Sequence, residues 1–395
     1  MGPGLLAALS GNDAGGIATY SSAGASYGYG TLWMLPVMAV LLIVVQETAA
    51  RCGCVTGKGF ASLIREKFGV RKSALAMGAL LIANTSVTIS EFAGIASGLA
   101  LFGIPPTISV PLVALLIWML TMSGSFRRIE KILLLVSCVF VTYVVAAFMT
   151  GPDWGSVALA TVTPHLAADP SYVSLLVATI GTTIAPWMIF LAQNNVVDKN
   201  ATEDDIVLQR IDTTTGSVVA CAIAWFIIIT TGTVLFPEGI AVADADAARA
   251  LEPIAGDMAT VLFAAGLVAA SFLAACVLPG VTSSAICEAF GWERGADRSW
   301  GEAPVYRGII TVIIAASALL VIMPGVNLFQ IMMSAQVING VLLPILLVFL
   351  VFIASDRHIM GQYRNSRLWD ILTWATIALI TVLTVVMFGL QVMGY

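Results

Sequence analysis

Charged residues are scarce in this sequence. Only 10% of its 395 residues are Asp, Glu, Lys or Arg, and 59% are hydrophobic, whereas an ordinary soluble domain carries about 25% charged residues. The apolar stretches are too long and too evenly spread for a signal peptide followed by a soluble domain. We therefore predict an all-α polytopic protein of the lipid bilayer, and we expect no nucleic-acid partner.

Histidine and cysteine are also scarce, which limits the possible chemistry. The two histidines, His165 and His358, both fall in loops. Cys52-Gly-Cys54 could bind a soft metal, but we favour ordinary packing at a helix end, and the six cysteines show neither zinc spacing nor a disulfide framework. The sequence contains no nucleophile–base set and no phosphate-binding loop, so we expect no enzymatic activity and no cofactor.

The apolar residues form eleven segments, each near or above the roughly 20 residues that a bilayer requires. All but one of the 18 basic residues lie in or beside the loops after the second, fourth, sixth, eighth and tenth segments. The positive-inside rule places those loops in the cytoplasm, with the N-terminus inside and the C-terminus outside the cell membrane. The segments are residues 3–25, 31–53, 73–102, 107–123, 130–150, 171–197, 213–236, 258–288, 304–323, 326–354 and 368–393.

The first segment is interrupted by polar residues. Ser10-Gly11-Asn12-Asp13-Ala14-Gly15-Gly16 stands where a spanning helix should be apolar. A charge at mid-membrane costs about 2.5–3.5 kcal/mol, and each glycine lowers helix propensity by about 1 kcal/mol. We predict that the helix unwinds here and that Asp13 binds a cation. The alternative is that Asp13 caps a helix or pairs with a buried base.

The sixth segment contains a second interruption at Gly181-Thr182-Thr183-Ile184-Ala185-Pro186-Trp187. A lone proline kink is a weak signal in membrane helices. However, the first and sixth segments each open a set of five, and breaks at matching positions point to an inverted-repeat transporter with a central site. We predict one repeat over residues 1–150, a second over 171–354 and an extra helix over 368–393.

Three further polar residues lie within apolar segments: Glu91, Gln336 and Asn339. Gln336 and Asn339 are three residues apart and share a helix face. Each of the three residues could instead make a hydrogen bond between packed helices. Glu47 and Glu288 lie nearer the predicted cytoplasmic ends, and we interpret them as interfacial.

These residues resemble the Nramp family of divalent-metal transporters, and the likeness covers most of the chain. Asp13-Ala14-Gly15-Gly16 stands in the place of the family's Asp-Pro-Gly-Asn, and Ala185-Pro186-Trp187 in that of its Met-Pro-His. Phe126-Arg127-Arg128-Ile129-Glu130-Lys131 and Ala335-Gln336-Val337-Ile338-Asn339-Gly340 are similar to two further family stretches. The resemblance implies a LeuT-type fold, which is a 5+5 inverted repeat with broken helices 1 and 6, and alternating access.

The resemblance also implies a metal site, and this chain departs from the family there. Asp13 is kept, whereas Gly16 replaces the family's asparagine and Ala185 its methionine; the carbonyl position aligns with Thr182. Loss of a thioether favours hard cations such as Mg²⁺, which prefer oxygen ligands. The site therefore resembles the magnesium-transporting branch of the family, with Mn²⁺ as a second substrate. We expect Gln336 and Asn339 to contact the ion or its water, and Gly15 and Pro186 to permit the unwound backbone.

The second departure concerns protons. The family is proton-coupled through histidines in its sixth segment and acids in its third. Trp187 and Ala192 replace the histidines; Glu91 matches one acid, and Gly94 and Asn84 occupy two other acid positions. We predict uptake without proton coupling, driven by the metal gradient and by a voltage that is worth about 4.6 kcal/mol per 100 mV for a divalent ion.

Three other functions stay open. One is a proton-coupled Mn²⁺/Fe²⁺ transporter in which Glu91 accepts the proton. Another is a sodium-coupled amino-acid symporter of the same fold, and the third is a channel. The sequence leaves the oligomeric state open, and we expect a monomer.

Overall fold

The regular structure of this chain is helical. The computed structural model describes residues 12–123, 141–167, 169–240, 259–295 and 298–393, and this part contains no strand. Short 3₁₀ turns cover Glu203–Asp205 and Gly361–Tyr363. The helices are α1 (Ala14–Tyr27), α2 (Met34–Thr56), α3 (Phe60–Ala100), α4 (Pro106–Ser123), α5 (Val141–Met149), α6 (Trp154–Val162), α7 (Pro170–Thr183), α8 (Pro186–Asp198), α9 (Ile206–Val234), α10 (Ala259–Phe290), α11 (Pro304–Val321), α12 (Leu328–Ala354), α13 (Arg357–Met360) and α14 (Arg367–Val392).

Nine helical stretches in the described residues are long and apolar enough to cross a membrane. They coincide with nine of the eleven predicted segments, which confirms an all-α polytopic fold. The other two segments, 3–25 and 130–150, lie partly outside the described residues. Their described parts form α1 and α5. The division into repeats and the orientation of the termini stay predictions.

The break predicted in the sixth segment is present. Helix α7 ends at Thr183, and α8 begins at Pro186. Between them Ile184 (φ −119°, ψ 68°) and Ala185 (φ −73°, ψ 141°) leave the helical region. In the most apolar 18-residue stretch of this broken span 94% of the residues are buried inside the protein, whereas only 17% are buried in the corresponding stretch of α4. The broken span therefore lies in the middle of the bundle.

Helix α3 is longer than the predicted segment 73–102. It begins at Phe60 and bends at Gly69, whose φ of 75° is accessible mainly to glycine. The basic residues around position 65 suggested a loop. Phe60, Leu63 and Ile64 are nevertheless buried, so the stretch before Gly69 is an amphipathic helix that rests on the bundle.

Several helices pack together around the start of α1 and the α7–α8 break. Helix α1 packs against α3, α7, α9 and α12, and α3 packs extensively against α10 and α12. Helix α12 also packs along α7. This arrangement brings the starts of α1 and α8 and the end of α7 close to the middle of α3 and α12.

The interpretation of Glu47 and Glu288 as interfacial stays a prediction, and the structure shows how each carboxylate is held. Both lie near helix ends, but Glu47 is only 2% exposed and Glu288 6% exposed. Arginines neutralise them: Arg51 and Arg210 pair with Glu47, and Arg294 pairs with Glu288. These ion pairs offset the desolvation cost of burying the two carboxylates.

Candidate ion-binding site

Asp13 stands immediately before α1 and is 4% exposed. Its Oδ1 accepts a hydrogen bond of 2.8 Å from the Gly16 amide, so it caps the helix. The alternative that Asp13 caps a helix is therefore correct for Oδ1, and it leaves the other carboxylate oxygen, Oδ2, outside the cap. The base-pairing alternative has no support, because Asp13 makes no ion pair with Lys or Arg in the described part of the chain. A helix N-terminus favours the anionic side chain.

Glu91 of α3 adjoins this cap. Its Oε2 accepts a hydrogen bond of 3.2 Å from the Ala14 amide, and its side chain is fully buried. Because Ala14 directly follows Asp13, this bond brings the Glu91 carboxyl group close to the capped start of α1. Neighbouring buried carboxylates repel each other, so a proton or a cation is favoured there. The site is therefore suited to a positive ion.

The end of α7 supplies backbone oxygens. Pro186 has no N–H, so the Thr182 carbonyl lacks the i+4 donor that an intact helix would provide. The Ile180 carbonyl is bonded by the Ile184 amide at 2.8 Å, and the Gly181 carbonyl by Asn339 Nδ2 at 3.0 Å. The Gly181 carbonyl is thus bonded by a side chain, and the Thr182 carbonyl has no i+4 amide to accept from; that Thr182 contributes to an ion site stays a prediction.

Helix α12 places two fully buried amides at the breaks. A Cβ added at Gly15 would lie 1.7 Å from Gln336 Nε2, so this side chain rests directly on the start of α1. Gln336 Nε2 and Asn339 Oδ1 have no hydrogen-bond partner within the described residues. Helix packing explains the Nδ2 group of Asn339, which bonds the Gly181 carbonyl and lies 3.5 Å from Gln336 Oε1. Asn339 Oδ1 remains for an ion or its water, whereas Gln336 Nε2 is a donor and can bond only to an oxygen such as that of a water.

No sulfur is supplied by position 185, and the nearest one along α8 belongs to Met188. Ala185 is 2% exposed at the break, as predicted for a position that has lost a thioether. One turn later, Met188 Sδ accepts a contact of 3.8 Å from Gln46 Nε2 of α2. The described groups that could bind a cation are therefore carboxylate, carbonyl and amide oxygens.

The positions at which the family carries proton-path residues are occupied here by residues that are packed against or hydrogen-bonded to neighbouring helices, or that carry no polar group. A Cβ added at Gly94 would lie 2.4 Å from the Ala14 Cβ and 2.5 Å from Ser271 Oγ, so packing of α3 on α1 excludes an acid there. Asn84 donates to Thr282 Oγ1 of α10 at 2.7 Å, two turns away from Glu91. Trp187 is fully buried with its indole N–H unpaired in the described residues, which is consistent with an adjacent water. Ala192, which is 2% exposed, carries no polar group.

Tyr20 is a site residue that the sequence reasoning missed. Its hydroxyl lies 2.9 Å from Thr183 Oγ1 and joins α1 to the end of α7. Tyr20 follows Asp13 by seven residues, so both project from one helix face. That spacing was the signal in the sequence.

Other metal sites find no support. In the residues that the structure describes, no group of three or more His, Cys, Asp or Glu side chains could hold a metal ion. The arrangement at the breaks instead combines carboxyl groups with carbonyl and amide oxygens, which are ligands for hard cations.

Comparison with known proteins settles the family. The sequence model of the natural resistance-associated macrophage protein-like family, abbreviated Nramp, matches residues 4–389. The chain belongs to the Nramp family. The expected family membership is therefore confirmed, and with it the prediction that the chain is not an enzyme.

Named relatives of this Nramp protein are metal transporters. The divalent metal cation transporter MntH of Ralstonia nicotianae is 30% identical over 406 residues, which cover 96% of this chain and 88% of MntH. MntH of Granulibacter bethesdensis is 28% identical, over 100% of this chain and 88% of its own length.

Solved structures share the fold. The Eremococcus coleocola manganese transporter, in complex with an aromatic bis-isothiourea compound, superposes with a TM-score of 0.77 at 22% identity. The match covers 97% of this chain and 84% of that one. This likeness shows the fold of the Nramp protein.

Proposed function

We propose that this Nramp protein carries divalent metal cations across the cell membrane by alternating access. The observation that carries the proposal is the buried Asp13 at the start of α1, where Gln336 of α12 lies against Gly15 while Asn339 of the same helix bonds the end of α7. An intramembrane carboxylate at broken helices is typical of ion pathways. The MntH relatives are named as divalent metal cation transporters, which supports the same substrate class.

Within that class, Mg²⁺ is the proposed preferred ion. Gly16 and Ala185 leave space where the family carries an asparagine and a thioether. The sulfur nearest to the break along α8, that of Met188, contacts Gln46 instead. A roomy oxygen site suits Mg²⁺, which keeps several of its waters and binds through one or two carboxylates. Mn²⁺ is proposed as a second, weaker substrate.

Transport is proposed to be uncoupled from protons. Trp187 and Ala192 stand at the family's histidine positions and cannot titrate near neutral pH, unlike histidine. An inside-negative potential alone drives a divalent cation inward. The same proposal places the N-terminus in the cytoplasm and the C-terminus outside, and treats the monomer as the working unit.

One observation favours a second candidate, which is proton-coupled Mn²⁺ transport. Glu91 accepts a hydrogen bond from the amide of Ala14, the residue after Asp13, so a proton released when a cation binds has an acceptor nearby. The solved neighbour from Eremococcus coleocola is described as a manganese transporter. Proton movement therefore decides between the candidates.

The test uses liposomes that contain the purified protein, a Mg²⁺ dye and a pH dye. An inside-negative potential is imposed, and external Mg²⁺ or Mn²⁺ is added at several pH values. Saturable Mg²⁺ influx without acidification is expected. Mn²⁺ influx with acidification but no Mg²⁺ influx would favour the second candidate, and influx of neither ion would contradict divalent transport altogether.

A further inference from the structure

We infer that Asn339 is a positioning residue, which fixes the end of α7 so that the Thr182 carbonyl is the one presented to the ion. The inference rests on the proposed function, because it concerns the geometry of the proposed ion site. It assigns Asn339 a different role from Gln336, although both lie on one face of α12.

The first observation is the hydrogen bond from Asn339. Its Nδ2 donates to the Gly181 carbonyl at 3.0 Å, and both residues are buried. Ile184 N–H already bonds the Ile180 carbonyl at 2.8 Å. Asn339 therefore satisfies the next carbonyl along the helix and leaves that of Thr182, whose i+4 position is Pro186.

The second observation is the backbone contact between α7 and α12. A Cβ added at Gly181 would lie 2.1 Å from the Gln336 carbonyl oxygen and 2.5 Å from the Gly340 nitrogen. One added at Gly340 would lie 2.5 Å from the Val177 carbonyl oxygen. The two helices thus touch through their backbones over the last turn of α7, and Asn339 bonds α7 at the same level.

The third observation separates the two amides. Gln336 lies against Gly15 at the start of α1, and its Nε2 has no partner in the described residues. Asn339 instead uses its N–H group on α7. Helix α12 therefore contacts the start of α1 through Gln336 and the end of α7 through Asn339.

A ligand role and a positioning role predict opposite effects of Asn339→Asp. A carboxylate is a better ligand than an amide oxygen for Mg²⁺, so a ligand role predicts an unchanged or lower KM. A positioning role predicts a higher KM, because a carboxylate cannot donate to the Gly181 carbonyl. Leaving that buried carbonyl unsatisfied would raise KM by roughly ten- to a hundredfold.

The experiment measures Mg²⁺ KM, Vmax and the Mg²⁺:Mn²⁺ uptake ratio in liposomes for wild type, Asn339→Asp and Asn339→Ala. Ser317→Ala, which removes a buried hydroxyl in α11 that has no partner in the described residues, is the matched control. We expect a raised KM and a changed uptake ratio in both Asn339 variants, with wild-type values in the control. A wild-type KM for Asn339→Ala, or a retained or lowered KM for Asn339→Asp, would overturn the inference.

If Asn339→Asp does not fold, Asn339→Ser replaces it, because a hydroxyl can still donate to a carbonyl. A lower KM for Asn339→Ser than for Asn339→Ala supports the positioning role, whereas equal impairment contradicts it. Absence of Mg²⁺ and Mn²⁺ uptake by the wild-type protein would instead mean that the proposed function is wrong.

Discussion

Gly15 limits which side chains fit beside Asp13 at the start of α1. Its Cα faces the Gln336 amide so closely that a Cβ would lie 1.7 Å from Nε2. Real Cβ contacts of this length do not occur, so a side chain introduced at position 15 would have to displace the Gln336 amide or shift α1. The close approach is what allows the Gln336 amide to lie next to the capped start of α1.

Gly15→Ala is therefore expected to reduce Mg²⁺ uptake by about tenfold or more, because the displaced amide changes the geometry of the site. Liposome uptake measures the effect. Gly78→Ala is the matched control, since an added Cβ at Gly78 in α3 meets nothing within 4 Å. Equal uptake by the two variants would contradict the close contact.

Ala185 and Gly16 are the residues on which the proposed ion preference depends. Combining Ala185→Met with Gly16→Asn restores a thioether and an amide, and is expected to shift competition from Mg²⁺ toward Mn²⁺ by about tenfold, since sulfur favours the softer ion. Mn²⁺ competition against Mg²⁺ uptake measures the shift. An unchanged competition ratio would refute the argument from these two positions.

Some site residues were predictable from the sequence for a simple reason. Asp13, Gln336 and Asn339 are polar residues within apolar segments, and polar groups in a membrane need partners. The need for glycine at positions 94 and 181 was not predictable. It arises because another helix packs directly against each of these positions. The capping bond of Asp13 also depended on where α1 begins.

At the scale of helices, Asp169 holds the start of α7. Its carboxylate accepts hydrogen bonds from the Ser171 and Tyr172 amides and from the Tyr27 hydroxyl, the last at 2.6 Å. The Tyr27 hydrogen bond holds the pKa of the Asp169 carboxyl below its usual range. The cap thus ties the end of α1 to the start of α7.

Because this pKa is lower in the folded protein than in the unfolded chain, the ionised cap stabilises the fold at neutral pH. That stabilisation is lost as the pH falls through the folded-state pKa. Asp169→Asn is therefore expected to lower the melting temperature slightly at pH 7, with a difference from wild type that shrinks below about pH 4. A melting difference that stays constant from pH 7 to pH 3 would contradict this.

The helices themselves were predictable to different degrees. Pro186 indicated the α7–α8 break only together with the polar residues beside it and the matching position of the first segment. Proline alone is not sufficient, since three other prolines lie inside continuous helices, namely Pro111, Pro279 and Pro344. The stretch from Phe60 to Phe68 was predicted as a loop, since its basic residues hid a buried apolar face that only the surrounding helices reveal.

At the scale of the whole molecule, a buried ionic cluster joins distant parts of the chain. Glu47 in α2 pairs with Arg51 and Arg210 and accepts a hydrogen bond of 2.8 Å from Trp369 Nε1. Arg51 in turn donates to Asn365 Oδ1 at 2.7 Å. The cluster connects α2, the start of α9 and the segment that leads into α14.

Glu47→Gln leaves buried arginine charge without its partner and is expected to destabilise the protein by about 3–5 kcal/mol. Thermal unfolding in detergent measures the loss. Lys58→Gln is the matched control, because the Lys58–Glu66 pair is about half exposed at 49% and 55% and should contribute less than about 1 kcal/mol. Similar melting temperatures for both variants would show that the cluster is not structural.

Asp13 is the residue on which the whole account depends, and Mg²⁺ binding to purified protein tests it most directly. Isothermal titration should give saturable binding for wild type and for Asp153→Ala, which removes a solvent-exposed helix cap at α6. Asp13→Ala, with an unchanged elution profile, should bind no Mg²⁺, because the site loses the carboxylate that caps α1. Wild-type binding by Asp13→Ala would contradict an ion site between the two helix breaks.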